Sequence, residues 1–483
     1  MGLYATVEGR MLLGACAEAN NKRACDGART LPTTWSHAPF EQTLLPRRGA
    51  TPGPRFASLF HHGHLTSFHL FVFVFFFVFD FASTALSSSS LLCKLNFAST
   101  ALSSSSLLCK LNFASHFNMA DDKLQTYDIP KTCKGGVVVN EGPDFRVEVQ
   151  DVPTPEPGPT EVLIKLNATG ICYSDIHFML NDWALPKMSA LGTKCAGHEG
   201  AGVIVKVGDQ VRTLKPGMRA GLKPIQDTCG ACELCRGGQE CYCASAVSTG
   251  LMCDGSYQQY VVSPERYTTI IPDGVSDYIA GPIMCSASTI YTSIRESALK
   301  PGDWAVFPGA GGGVGMQGVQ LAKAMGLRPV AIDTGEDKEK MCKDVGAEAF
   351  IDFKKVDNVA EEIVRICDGI GAHAVFVTAV QTYPSSISYL GGRVGGKVMC
   401  VGLPPAGTLH IDVDPNQMCF KKQSVQGTLV SSMADVDKTL EFAKRGLLKP
   451  IYTVYPLSKF NEAVQKLRRG EIVGRAVVDF NQE

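Results

Sequence analysis

From Met119 onward the chain shows two rhythms of apolar and polar positions. Residues 144–151 and 161–168 alternate at roughly period two, as strands with one buried face do. Gly and Pro interrupt this region repeatedly, as in Pro157-Gly158-Pro159 and Lys215-Pro216-Gly217. A β-rich, loop-rich domain is expected there. From about residue 303, strand-like and helical runs alternate. Strands are expected at Asp303–Phe307, Arg328–Ile332, Ala349–Phe353, Ala374–Thr378, Gly396–Val401 and Ser424–Val430. Helices are expected up to Met325 and over Lys338–Val345 and Val359–Ile366. Six strands separated by helices predict an α/β fold with a doubly wound parallel sheet. The last fifty or so residues predict a helix around Val436–Arg445 and then a strand over Gly474–Phe480.

Before Met119 the pattern breaks down. Residues 70–79 form an apolar run of ten, half of the ~20 that a membrane-spanning helix requires. The segment from Phe81 to Leu95 then recurs letter for letter from Phe97 to Leu111, each copy with four consecutive serines. Two identical units of this length do not make a stacked-repeat architecture, which needs longer units and usually three or more of them. The expected organisation is a low-complexity extension over 1–118, disordered or an artefact of the gene's start. A β-rich domain follows over 119–289, a sheet domain over 290–425, and a C-terminal segment over 426–483 that returns to the first.

The charge is nearly balanced, with 46 Lys and Arg against 47 Asp and Glu, so no nucleic-acid partner is expected. The 18 cysteines are more informative. Five of them crowd between Cys229 and Cys243, which in an intracellular protein points to metal rather than to disulfides.

Three groups of residues carry chemistry. Cys229, Cys232, Cys235 and Cys243 offer four thiols within one loop, enough to close a tetrahedron around a structural zinc ion, and Cys241 inside the loop leaves a ligand swap open. Cys172, with Ser174, Asp175 and His177 close behind, precedes Gly197-His198-Glu199-Gly200, and Cys285 lies far downstream. Cys, His and Cys make a three-ligand zinc site with its fourth position open to water or substrate. The turn Gly309-Ala310-Gly311-Gly312-Gly313-Val314-Gly315 follows a strand and opens a helix. Glycines there let a backbone approach a pyrophosphate, and the helix N-terminus favours its charge. Asp333 ends the next strand, where an acid binds the adenosine ribose and repels the extra phosphate of NADP, favouring NAD.

Together these motifs resemble those of the zinc-containing medium-chain alcohol dehydrogenases, most closely the yeast-type branch. The resemblance spans about 124–483 and includes Gly197–Gly202, Asp254–Tyr260 and Ile472–Arg475. It implies a GroES-like catalytic domain, a Rossmann domain and two zinc ions per subunit. It further implies Cys172, His198 and Cys285 on the catalytic zinc, with Asp175 steadying His198 and Glu199 behind the metal. Ser174 would bind the alcohol hydroxyl, and His177 would pass its proton outward. Thr289 would contact the nicotinamide, Asp333 and Lys338 the adenosine ribose, and Arg475 the pyrophosphate, while Trp183 would wall the substrate pocket. The implied reaction moves hydride between a primary or secondary alcohol and NAD, giving an aldehyde or ketone reversibly. A cytoplasmic homo-oligomer, a tetramer joined through its sheet domains, is the implied assembly. Two departures bear on the substrate. Pro224 stands where yeast-type enzymes are similar in having Trp, and Leu191–Cys195 is additional text. Deleting residues 1–118 is expected to leave specific activity unchanged, as a side-by-side assay of the full chain and of 119–483 would measure.

Overall fold

The computed structural model describes residues 125–483; the expected 1–118 extension lies outside the described residues. The first part of the described chain builds a sheet with helices at its margins. β1 (Thr132–Val139) and β2 (Arg146–Pro153) form an antiparallel pair. β3 (Glu161–Gly170) leads into helix α1 (Tyr173–Leu180), then β4 (Gly200–Val207) and β5 (Arg219–Leu222). A loop region follows with β6 (Ile225–Asp227), the single turn α2 (Glu233–Arg236) and β7 (Val247–Ser248). β8 (Tyr260–Pro264) and β9 (Thr268–Ile270) return to the sheet. Helices α3 (Asp277–Pro282) and α4 (Ser288–Ser297) then lead out of it.

The second part alternates strand and helix, except that only short 3-10 turns separate β13 from β14: β10 (Trp304–Pro308), α5 (Gly313–Ala324), β11 (Arg328–Asp333), α6 (Glu336–Asp344), β12 (Ala349–Asp352), α7 (Val359–Ile366), β13 (Ala374–Val377), β14 (Lys397–Cys400), α8 (Pro415–Lys421) and β15 (Ser424–Gly427). All five pairings are parallel, in the order β12-β11-β10-β13-β14-β15. The order reverses beside β10, the point at which doubly wound sheets bind ligands. Every residue of β10 and β13 is buried, because helices cover both faces. Period two still sorts the side chains. Ala305, Phe307, Ala331, Phe376 and Met399 pack on one face, and Trp304, Val306, Val330, Ile332, Val375 and Val398 on the other.

Helix α9 (Met433–Lys444) starts three residues before its expected position because Ser432 accepts the Asp435 N–H as an N-cap. It packs Val436 and Leu440 into the core of the parallel sheet. The chain then crosses back. β16 (Tyr452–Pro456), helix α10 (Phe460–Arg468) and β17 (Arg475–Asp479) join the first sheet, whose order is β16-β17-β3-β4-β5-β9 with β8 also on β3. Phe460 anchors this return. It is fully buried, 4.6 Å from the Tyr257 ring, and a methyl group added at Gly136 would collide with it. Phe460→Ala is expected to destabilise the chain by about 3–5 kcal/mol, measured by denaturant unfolding.

Candidate active site

Cys172 caps helix α1, and its N–H donates to Asp175 Oδ2 at 3.1 Å. Asp175 is fully buried and serves three neighbours. Besides the Cys172 N–H it accepts the Tyr257 hydroxyl at 3.1 Å, and its Oδ1 lies 2.8 Å from His198 Nδ1, an ionic contact rather than a well-directed hydrogen bond. Nδ1 is therefore occupied, and Nε2 is the ring atom left for a metal. Cys285 arrives from a π-helical turn, Ile283–Ala287, inserted between α3 and α4. Pro282 precedes that turn, and such local widenings of a helix recur at functional sites. The result brings Cys172, His198, Glu199 and Cys285 together, with their ligand atoms all within 4.8 Å of one another.

The electrostatics of this cage call for a cation. The hydrogen bond with Cys285 holds the Cys172 thiol well below its ordinary range, with His198 adding to the effect against burial. The same bond, with burial, pushes Cys285 well up. Burial opposes a charged His198, yet Asp175 and the Cys172 sulfur hold its pKa well above normal. Burial drives the Glu199 carboxyl up to about 8 despite contact with the Arg475 guanidinium. Glu199 Oε1 is buried with no hydrogen-bond partner among the described residues. A zinc ion fits these donors. Zn–S bonds of about 2.3 Å in a tetrahedron put two sulfurs about 3.8 Å apart, and Cys172 and Cys285 are 4.0 Å apart.

The second thiol cluster is equally compact. Cys229, Cys232, Cys235 and Cys243 gather, with Sγ pairs at 3.5, 3.6 and 4.0 Å. Cys241 is outside the group; its thiol is raised to about 11 by burial and by the neighbouring Glu240. Backbone N–H groups of Ala231 and Cys232 pull Cys229 down to about 6, and the Thr228 hydroxyl lowers Cys235. Four sulfurs at these distances suit zinc.

The glycine turn sits at the carboxyl end of β10. Gly309 takes φ +82°, and a Cβ at Gly315 would lie 2.2 Å from the Gly309 carbonyl oxygen. Gly311 N donates to Asp333 Oδ2 at 2.8 Å, and Lys338 Nζ holds Asp333 Oδ1 at 2.8 Å. Gly312 and Val314 flank the start of α5. Arg475 borders Gly313, where an added Cβ would meet its Cδ at 2.4 Å, and also donates to the Ile171 carbonyl. Its Nε is buried and has no partner among the described residues, a donor at the turn's edge. A dinucleotide's pyrophosphate fits this cradle.

The remaining expected residues lie around the cage. Thr289 is one helical turn after Cys285 and donates to its carbonyl oxygen at 2.6 Å. Ser174 is partly exposed on α1, and no hydrogen bond joins it to His177 among the described residues. Trp183 stacks on the His177 ring, with centroids 4.6 Å apart. Tyr257 and Gly170 had no role in the sequence reading. Both support the cage, and a Cβ at Gly170 would strike Glu199 Oε2 at 2.1 Å. The run Asp254–Tyr260 was a motif without a geometry; its Tyr257 hydroxyl was the available signal.

A family model described as "Alcohol dehydrogenase GroES-like domain" matches residues 158–273, and one described as "Zinc-binding dehydrogenase" matches 313–445. An alcohol dehydrogenase of Schizosaccharomyces pombe is 39% identical over 357 residues, 73% of this chain and 99% of the relative. Alcohol dehydrogenase 1 of Neurospora crassa is 37% identical over 364 residues, 74% and 100% respectively. This chain belongs to the zinc-containing medium-chain alcohol dehydrogenases. The dehydrogenase also superposes on the acetophenone reductase from Geotrichum candidum, solved in complex with NAD, with a TM-score of 0.64 at 27% identity, covering 74% of this chain and 99% of that one. It is a zinc-dependent alcohol oxidoreductase that uses NAD. No helix among its described residues is long and apolar enough to cross a membrane. Gly315→Ala in the dehydrogenase is expected to weaken NAD binding at least about tenfold while zinc content holds, because backbone rather than a movable side chain blocks the added methyl; nucleotide titration with metal analysis checks this.

Proposed function

We propose that Cys172, His198 and Cys285 hold a catalytic zinc ion and that Cys229, Cys232, Cys235 and Cys243 hold a second, structural one. The observation that carries this reading is the buried cage itself, two thiols and an imidazole beside an orphan carboxylate oxygen, joined through Arg475 to the glycine turn. When bound, zinc would supply a Lewis acid that eases loss of the alcohol's proton, and NAD would supply the hydride-accepting chemistry. The chain's own residues do the remaining work. Ser174 binds the alcohol hydroxyl and His177 carries its proton toward solvent. Asp175 fixes the orientation of His198. Thr289 contacts the nicotinamide and Arg475 the pyrophosphate. Asp333 and Lys338 hold the adenosine ribose, and the Asp333 carboxylate disfavours a phosphate there, so NAD is preferred to NADP. Trp183 walls the pocket. Pro224 in place of a bulky indole leaves room for alcohols larger than ethanol, aliphatic or aromatic.

The domain division follows the same reading, with catalysis in 119–289, NAD in 290–425, and 426–483 returning to the first. A homo-oligomer, of tetrameric order, is proposed through the sheet domains. The unpaired side of β15 and the nearby Phe420, 86% exposed on α8, support it. A cytoplasmic location accords with the many free thiols.

The deciding experiment is NADH formation on a graded series of alcohols, with zinc counted per chain. Two zinc ions and chelator-sensitive turnover are expected. Cys172→Ser should lose one ion and at least about a thousandfold in turnover, the scale on which removing charge stabilisation acts. Retention of both ions and of turnover in that variant would sink the ligand assignment.

A further inference from the structure

Three neighbours fix the His177 ring, and all come from the stretch Tyr173–Trp183. Trp183 stacks on it with planes 22° apart, and Tyr173 meets its edge at a centroid distance of 5.1 Å. Asp182 Oδ1 lies 2.7 Å from Nδ1. The backbone explains how a residue five positions on reaches back. Helix α1 ends at Asn181 in the left-handed region, φ 54°, and its N–H caps the carbonyls of His177 and Phe178. That turn reverses the chain and brings Asp182 beneath the imidazole. The corner is held from the sheet domain as well, since the Ala406 N–H donates to the Asp182 carbonyl at 2.9 Å.

The Asp182 carboxylate has no other hydrogen-bond partner among the described residues, and its side chain is 25% exposed. It is also the only charged side chain within ion-pair distance of the His177 ring among them. Arg468 of α10, which packs against α1, is engaged elsewhere, over the Phe145 ring and on the Pro143 carbonyl. We propose that Asp182 is a positioning residue for proton transfer, holding His177 as the Nδ1–H tautomer with Nε2 free. The inference rests on the reading of His177 as the proton acceptor. A neutral imidazole has one donor and one acceptor nitrogen, and an ionised carboxylate can only accept. Nδ1 must therefore carry the hydrogen, and the Nε2 lone pair takes the alcohol's proton. The proton arrives at Nε2 and later leaves from Nε2, while Nδ1 keeps its own throughout. No bond to carbon changes and nothing is oxidised at this pair.

Asp182→Asn separates this role from packing. The amide has the same shape but can donate to Nδ1, which would move the hydrogen to Nε2 and leave a correctly placed ring unable to accept. The full chain labelled with nitrogen-15 histidine gives the tautomer directly from two-bond proton–nitrogen correlations at about pH 8.5, where an ordinary imidazole is neutral. His177 is assigned by its loss in His177→Gln. The expected spectrum has Nδ1 protonated in the native chain and Nε2 protonated in Asp182→Asn. Turnover should fall about 10²-fold, within the range for a lost general base, with zinc content and NAD affinity unchanged. In the His177→Gln background, Asp182→Asn should cause no further loss. An unchanged tautomer in Asp182→Asn, or a further loss when His177 is already absent, overturns the proposal. Native turnover in His177→Gln alone would instead bring down the underlying proton-acceptor reading, an outcome the spectrum keeps distinct.

Discussion

The contact between Arg475 and Glu199 ties the two halves of the described chain together. Both side chains are removed from water, 6% and 0% exposed, and burying the Arg475 guanidinium costs several kcal/mol unless further hydrogen bonds compensate. Here the compensation is local. Arg475 also donates to the Ile171 carbonyl, and the backbone of Gly474 donates to Gly311 at 3.2 Å, so the guanidinium is pinned between the cage and the nucleotide turn. Space for the two side chains comes from residues that have none at Gly170 and Gly313. The electrostatic state of the thiol–imidazole cage and the edge of the glycine turn therefore share one cation.

A second link runs through the four-thiol loop. Glu240 lies between Cys235 and Cys243 and accepts from Lys223, which is fully buried, and from the backbone N–H of Met433 at the start of α9. Lys223 in turn donates to the Ser431 carbonyl at 2.7 Å, and the Leu429 N–H donates to the Tyr242 hydroxyl. Burial lowers the Lys223 pKa, opposed by Glu240. The loop thus does more than close on itself: its side chains grip the segment that follows β15, and an intact thiol cluster keeps that grip in register.

The legible parts of this molecule were those set by neighbours in sequence. The four-thiol loop, the glycine turn and the alternation of strands and helices all follow from spacing over a few residues. Ranges drifted where a capping residue or a short pairing decided the end, as at Ser432 for α9 and at Gly427, where β15 stops three residues before the expected Val430. What spacing could not reveal was assembled over distance. Cys285 meets Cys172 across 113 residues, a separation over which spacing carries no geometry. The partner of Arg475, the support of Asp175 by Tyr257 and the widened turn that presents Cys285 left no periodic trace. Asp182 is the instructive intermediate case. It is five residues from His177, yet its contact depends on a left-handed residue at Asn181 that propensity alone does not demand.

The return of β16 and β17 to the first sheet sets an order of assembly. β17 pairs with β3, more than three hundred residues earlier, and it carries Arg475 into the cage. A nascent chain that has emerged through α9 holds every cysteine of both thiol clusters but lacks the strand that completes the sheet around one of them. Such long-range pairing is slow, and although β8 covers the start of β3, the Ala168–Gly170 end that β17 pairs with waits until synthesis reaches residue 479. The cysteines of both clusters thus precede by a long stretch of chain the strand that brings Arg475 to them, so β17 acts as a late lock on a domain begun long before it.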